Sequence, residues 1–369
     1  MIQTALRMVA AVVVALSCAF SAACSAQASG VKPAAHARWH FMVAGDSRNC
    51  GDVVMPSLAA AARAEGAQFY WHLGDLRAIY DFDEDFHHLN PKATIIDYET
   101  RAWDDFIRHQ VEPFGAVPFF LGIGNHETIQ PKTRDQFVSA FADWLNADAI
   151  RTQRLLDDPH DHQVRAYYHW IRDGVDFIYL DNATPEQFDA AQMAWFKAAI
   201  ARDRASANIR AVVLGMHEAL PDSIASGHSM SDFPTATVTG RAVYQLLLDL
   251  KSVKPVYVLA SHSHFVMQGI FNTQYLRDHG GVLPGWIVGT GGAVRYVLPP
   301  NSDTAEFAAT NVYGYLLATV APSGTADPDP VHFEFHEVHE QDVPATVTAE
   351  FGAEFIHSCY ADNRSTAGK

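Results

Sequence analysis

The sequence predicts an α/β or layered sandwich fold, and three observations carry that reading. The composition is globular: 49% hydrophobic and 18% charged in 369 residues, which excludes disordered and collagen-like chains. Strand-length apolar runs alternate with helical patterns along the chain. Polar residues collect directly behind several of these runs, as in open α/β sheets whose ligands gather beyond the carboxyl ends of strands. The length fits one large domain or two small ones, at roughly 100–200 residues per domain. A net charge of -16 with no basic run argues against a nucleic-acid partner, since such proteins cluster Lys and Arg against phosphates.

In chain order, Arg7 precedes an apolar run from Met8 to Phe20, and small residues follow up to Ala26-Gln27-Ala28. This is the layout of a signal peptide over 1–28, and it implies export to the periplasm or medium. The run is shorter than the roughly 20 apolar residues that span a bilayer, so no transmembrane segment is expected in the mature chain. Ser21-Ala22-Ala23-Cys24 leaves lipoprotein anchoring as the rival, without the usual Leu. Residues 29–37 read as a linker, 38–340 as the folded domain and 341–369 as a C-terminal tail. Cleavage leaves Cys50 and Cys359, which in an exported chain form either one disulfide or two free thiols.

Strands are expected at Trp39–Ala44, Phe69–Leu73, Val117–Leu121, Ala166–Ile171, Val175–Leu180, Ile209–Gly215, Val256–Ala260 and Trp286–Val288, with a closing β section at Val312–Val320 and Val331–Val338. One helix is placed by its start: Thr184 as N-cap, Pro185 in the first position and Gln187 completing a capping box. Phe188, Ala191, Trp195 and Ala199 then share a face. The acidic stretches 81–98 and 157–162 read as solvated surface insertions.

Five polar segments follow strand-like runs: Gly45-Asp46-Ser47-Arg48, Gly74-Asp75, Gly124-Asn125-His126-Glu127, Met216-His217 and Ser261-His262-Ser263-His264. Singly each is weak, because a lone His is usually a surface or core residue and Gly-Asp is a common turn. Together they bring two carboxylates, one amide and several imidazoles to successive strand ends, which packing does not explain. Oxygen and imidazole donors suit borderline divalent ions such as Fe, Mn and Zn. His72 is expected to face away from Asp75 by strand alternation. Gly227-His228 imitates a ligand motif without a strand before it. No Gly-x-Ser-x-Gly elbow, His-Glu-x-x-His or Walker loop is present.

These motifs resemble those of the calcineurin-like metallophosphoesterase superfamily over roughly residues 38–340. Asp181-Asn182-Ala183 and Gly289-Thr290-Gly291-Gly292-Ala293 look like its secreted, purple acid phosphatase-like branch. The resemblance implies an α/β, four-layer α-β-β-α sandwich of two mixed sheets flanked by helices, around two divalent or mixed-valence metal ions. By the same resemblance Asp75 bridges the ions, Asp46, Asp75 and His264 hold the first, and Asp75, Asn125, His217 and His262 hold the second. His126 then serves as proton donor or transition-state stabiliser, and Glu127 supports its loop. Such a centre activates a water to hydroxide and clamps an in-line displacement at phosphorus.

Three departures stand out. Arg48 replaces the family's His, and arginine cannot ligate a metal; it is read as a catalytic phosphoryl-binding group, with a salt bridge to a site acid as the alternative. The Tyr that purple acid phosphatases place three residues after the bridging Asp is Ala78 here, with Tyr80 two residues further on. Ser261 replaces a Gly. The expectation is an exported phosphomonoesterase acting on a small phosphorylated substrate. A phosphodiesterase on the same site, or a non-catalytic phosphate-binding protein with an incomplete first metal site, stand as alternatives.

Overall fold

The computed structural model describes residues 37–365, except 185–187, 226 and 326. The leader 1–28, linker residues 29–36, Pro185 and Gln187 lie outside the described residues. Among the described residues, twelve strands form two mixed sheets. They are β1 (Trp39–Ala44), β2 (Tyr70–His72), β3 (Phe119–Leu121), β4 (Tyr168–Arg172), β5 (Val175–Leu180), β6 (Ala211–Met216), β7 (Val256–Ala260), β8 (Val266–Gln268), β9 (Gly285–Val288), β10 (Phe307–Ala309), β11 (Tyr313–Val320) and β12 (Val331–Val338). One sheet runs β12-β11-β1-β2-β3 and the other β10-β8-β9-β7-β6-β5-β4.

The strands that precede the polar motifs are parallel to their neighbours. In the first sheet β1, β2 and β3 run together, with Met42 opposite Tyr70 and Tyr70 opposite Phe119. In the second, β5, β6, β7 and β9 do the same. Within each sheet this puts the carboxyl ends on one edge, which is what a site built from strand-end loops needs.

The alternation of side chains along each strand builds the layers. Phe177, Tyr179 and Val213 join Phe41, Phe69, Trp71 and Phe120 in one aromatic-rich core. There Phe41 and Phe177 meet edge to face at 5.1 Å, and Phe120 stacks on Trp170 at 4.1 Å. The opposite face of the second sheet (Ile178, Leu180, Val212, Leu214 and Val258) buries against Phe196 and Ile200 of the helix Ala190–Ala205 and against Val243 and Leu247 of the helix Pro234–Lys251. Two mixed sheets flanked by helices match the expected fold class.

Some boundaries differ from expectation. The helix placed at Thr184 begins at Ala190, where the Asp189 side chain accepts the Gln192 amide at 2.7 Å. Its buried face is Gln192, Phe196, Ala199, Ile200 and Asp203, rotated from the predicted one because Gln192 is drawn in. That amide bonds both backbone groups of Asp181, at 2.7 and 2.9 Å. Strands β8 and β10, three residues each, were not expected; β2 and β3 are equally short but lie within the strand-like runs Phe69–Leu73 and Val117–Leu121.

The first acidic stretch is a larger correction, while in the second Asp158, Pro159, His160 and His162 are exposed as expected. Asp83 and Asp85 are fully buried, because Arg77 is buried between them and Asp52 and Asp105, with its guanidinium 2.6 Å from Asp52 and 3.1 Å from Asp85. Asp157 of the second stretch bonds His169 at 2.6 Å. Residues 341–365 fold into two helices, Ala345–Phe351 and Ala353–Ala361, and Cys359 forms a disulfide with Cys50 (Cα–Cα 5.9 Å). Among the described residues no helix is long and apolar enough to cross a membrane.

Candidate metal centre

Each predicted site residue follows a strand. Asp46 and Arg48 lie behind β1, Asp75 behind β2, Asn125 and His126 behind β3, His217 behind β6, and His262 and His264 behind β7. The turns that aim them are tight. Asp46, Asp75 and His262 all adopt positive φ (58°, 60° and 65°), a region that costs non-glycine residues about 1–3 kcal/mol and clusters at functional sites. Gly74 (φ 97°) lets the Asp75 loop press against the Gly124 backbone, where an added Cβ would stand 2.5 Å from the Gly124 nitrogen. The Glu127 carboxylate ties these loops together by accepting the amides of Gly124, Asp75 and Leu76 at 2.7, 3.0 and 2.9 Å.

Four acceptor atoms converge at the second predicted position. His217 Nδ1 lies 3.0 Å from the Leu73 carbonyl, to which it donates, leaving the Nε2 lone pair to face inward. Around that Nε2 stand Asn125 Oδ1 at 3.0 Å, His262 Nδ1 at 3.1 Å and Asp75 Oδ1 at 3.2 Å. Burial opposes charging His217, yet Asp75 pushes it up to about 10, so without a metal ion the ring holds a second proton at Nε2, and an ion bound there would take that proton's place and use the lone pair. Asn182 Oδ1 fixes the loop by accepting the amides of His217 and Glu218, both at 3.1 Å. These donors fit a divalent ion of the Zn, Mn or Fe type.

At the first predicted position Asp46 Oδ1 lies 3.3 Å from His264 Nε2, and Asp46, Asp75 and His264 form a compact group. Burial acts to raise Asp46, but His264 brings it down to about 2. Arg48 enters this group. Its Nη2 donates to His264 Nε2 at 2.9 Å, its Nη1 to His126 Nε2 at 2.7 Å, and its Nε is 3.6 Å from Asp75 Oδ2. His126 Nδ1 meanwhile donates to the Ala78 carbonyl at 2.7 Å. Burial, with Arg48 beside it, draws His126 down to about 4 against the pull of Asp75. The ring is therefore neutral near pH 7, with Nε2 acting as an acceptor.

Two residues overlooked in the sequence border the centre. Tyr296 stacks on His264 at 4.0 Å, and His228 lies 5.4 Å from His262 and 5.2 Å from Tyr296 between ring centroids. Gly227-His228 was set aside for want of a strand, but it reaches the site on the long connection after β6. Tyr296 carried no motif. Tyr80 is exposed at the rim, 5.2 Å from the His126 ring. His72 bonds Ser47 Oγ at 2.9 Å and joins neither metal group. A third acidic group, Asp52, Asp105 and His109, surrounds Arg77, which already compensates it.

No protein-family model matches the sequence, and no curated protein matches it. Solved structures do. The chain is similar to a purple acid phosphatase from seeds of yellow lupin, Lupinus luteus (TM-score 0.54, 16% identity, 82% of this chain and 52% of that one). It is also similar to a dimetal phosphatase from Danio rerio (TM-score 0.50, 11% identity, 80% and 98%) and to PhoD (TM-score 0.50, 14% identity, 89% and 78%). The chain spans about half the length of the lupin protein. With its two mixed sheets flanked by helices, the chain shares the fold of these phosphatases.

Proposed function

We propose that the chain is an exported, metal-dependent phosphoesterase that hydrolyses small phosphomonoesters. One observation carries this reading: Asp75, Asn125, His217 and His262 aim four lone-pair atoms at a common point from strand ends of both sheets. A divalent ion held there would polarise a phosphoryl oxygen and acidify a water.

The chain's own residues do the rest. Arg48 presents a planar fork of donors beside that point, suited to phosphoryl oxygens, and its Nε makes no hydrogen bond. Substrate phosphate competes for the guanidinium and frees His126 Nε2, which, once relieved of Arg48 and protonated from solvent, can donate that proton to the leaving oxygen. Asp75 and Glu127 fix the loops so that these groups stay aligned. A monoester dianion matches a site whose cations outweigh its two carboxylates. The leader pattern supports export, and so does the Cys50–Cys359 disulfide, since such bonds persist in oxidising compartments.

The test is an assay of purified mature protein on monoesters and diesters with Mn, Zn, Fe or Co, with and without chelator. The proposal predicts monoester turnover that chelation abolishes and metal restores. Turnover indifferent to chelation, or none with any of the four metals, contradicts it.

A further inference from the structure

Arg48 stands where the metal-ligand pattern calls for a histidine, and its side chain does more than leave a ligand missing. We infer that the Arg48 guanidinium, rather than a second metal ion, is the cation at the Asp46–Asp75–His264 position, so that the centre takes one metal ion, at Asp75, Asn125, His217 and His262. This deepens the proposed function and rests on it.

The two positions differ in where their hydrogens come from. At the metal position His217 spends its Nδ1 hydrogen on the Leu73 carbonyl, and its Nε2 meets acceptor atoms of Asn125 and Asp75. Among the described residues no guanidinium or ammonium donates to this imidazole, so an ion from solution would displace only the Nε2 proton of His217. At the other position the imidazole is prepared in the same way, with His264 Nδ1 2.6 Å from the Val294 carbonyl and Nε2 left as a lone pair. Here, however, Arg48 Nη2 already donates into that lone pair at 2.9 Å. One lone pair cannot serve a guanidinium hydrogen and a metal ion together.

The guanidinium is built into this place. His126 takes Nη1 at 2.7 Å, with its own tautomer fixed by the Ala78 carbonyl. Two imidazoles, each oriented by a backbone carbonyl, thus hold the two Nη atoms, and Nε lies 3.6 Å from Asp75 Oδ2. Asp46 Oδ1 and Asp75 Oδ2 are buried without a hydrogen-bond partner among the described residues, and Asp75 Oδ2 lies 3.6 Å from Arg48 Nε. Arg48 is 6% exposed, and a second ion pressed against it would meet unscreened like charge. One divalent ion and one guanidinium against two carboxylates leave a single positive charge, enough to favour a phosphate without a second metal.

The experiment is a metal count on mature protein equilibrated with excess Mn²⁺ and freed of unbound ion, paired with its electron paramagnetic resonance spectrum. The inference predicts one ion per chain and the spectrum of an isolated Mn²⁺. Arg48→His, which supplies the missing ligand and removes the competing cation, should bind two ions and show exchange coupling between them. Two ions in the wild type overturn the inference and leave the phosphoesterase reading standing. A count of one that Arg48→His does not raise also overturns it. No bound ion in either protein overturns both.

Discussion

At the scale of single residues, the proposed function divides side chains that would hold metal from side chains that would act beside it. His217 belongs to the first kind, because its Nε2 is the atom about which the other donors gather. His217→Ala should therefore lower metal content as well as activity. His126 belongs to the second: its ring touches Arg48 and the Ala78 carbonyl and joins neither ligand group. His126→Ala should keep the metal and lower turnover about 10²-fold or more. Metal analysis with steady-state kinetics on both variants checks the division, and equal metal loss in the two contradicts it. All six predicted ligands lie in the polar segments that follow strand-like runs, and their roles as ligands came from the resemblance to the calcineurin-like metallophosphoesterases. Gly227-His228 carried a local pattern but no strand before it, so it was set aside, whereas Tyr296 was illegible because ring packing across distant loops leaves no local pattern.

A second residue-scale prediction concerns pH. His169 is buried between Asp176 at 2.9 Å and Asp157 at 2.6 Å. Burial opposes its protonation, but these carboxylates push it up to about 9 from 6.5. A base raised on folding contributes stability that is full below its unfolded value and is lost as pH rises through the folded one. Asp203, pushed up to about 8 by burial and then by Asp176, acts in the same direction, since it too holds its proton more tightly when folded. Thermal stability should therefore fall from about pH 7 to 9, and His169→Gln should flatten that fall. A variant profile parallel to the wild type contradicts this assignment.

At the scale of elements, the acidic segment after β2 shows where reading in sequence order fails. Its charges suggest a solvated loop, because acidic loop clusters are usually exposed. The partner is Arg77, within the same strand-end loop as Asp75, which also collects Asp52 and Asp105 from two helices. Burying one guanidinium among four carboxylates makes that cation indispensable, since removing one partner of a buried ionic cluster typically costs about 3–5 kcal/mol. Arg77→Met should lower stability by that amount in denaturant titration, and a loss below about 1 kcal/mol contradicts the role. Long parallel strands were legible to within a residue or two because both of their faces are apolar, whereas β8 and β10 were not.

At the scale of the whole molecule, the ends of the described chain close on the site. Cys359 lies on the last helix and Cys50 four residues beyond Asp46, so the disulfide spans 309 residues and fastens the C-terminal helices to the loop that carries Asp46 and Arg48. Replacing both cysteines with serine should cost about 2–5 kcal/mol of stability and weaken metal retention, checked by thermal unfolding and metal content. Unchanged stability contradicts the fastening role.

The convergence of loops from both sheets on one cation is tested most directly by anomalous diffraction at the zinc edge from crystals grown with Zn²⁺. A peak bounded by Asp75, Asn125, His217 and His262, at about 2.0–2.2 Å from their donor atoms, is the predicted result. Saturating zinc with no peak among those four side chains would contradict it.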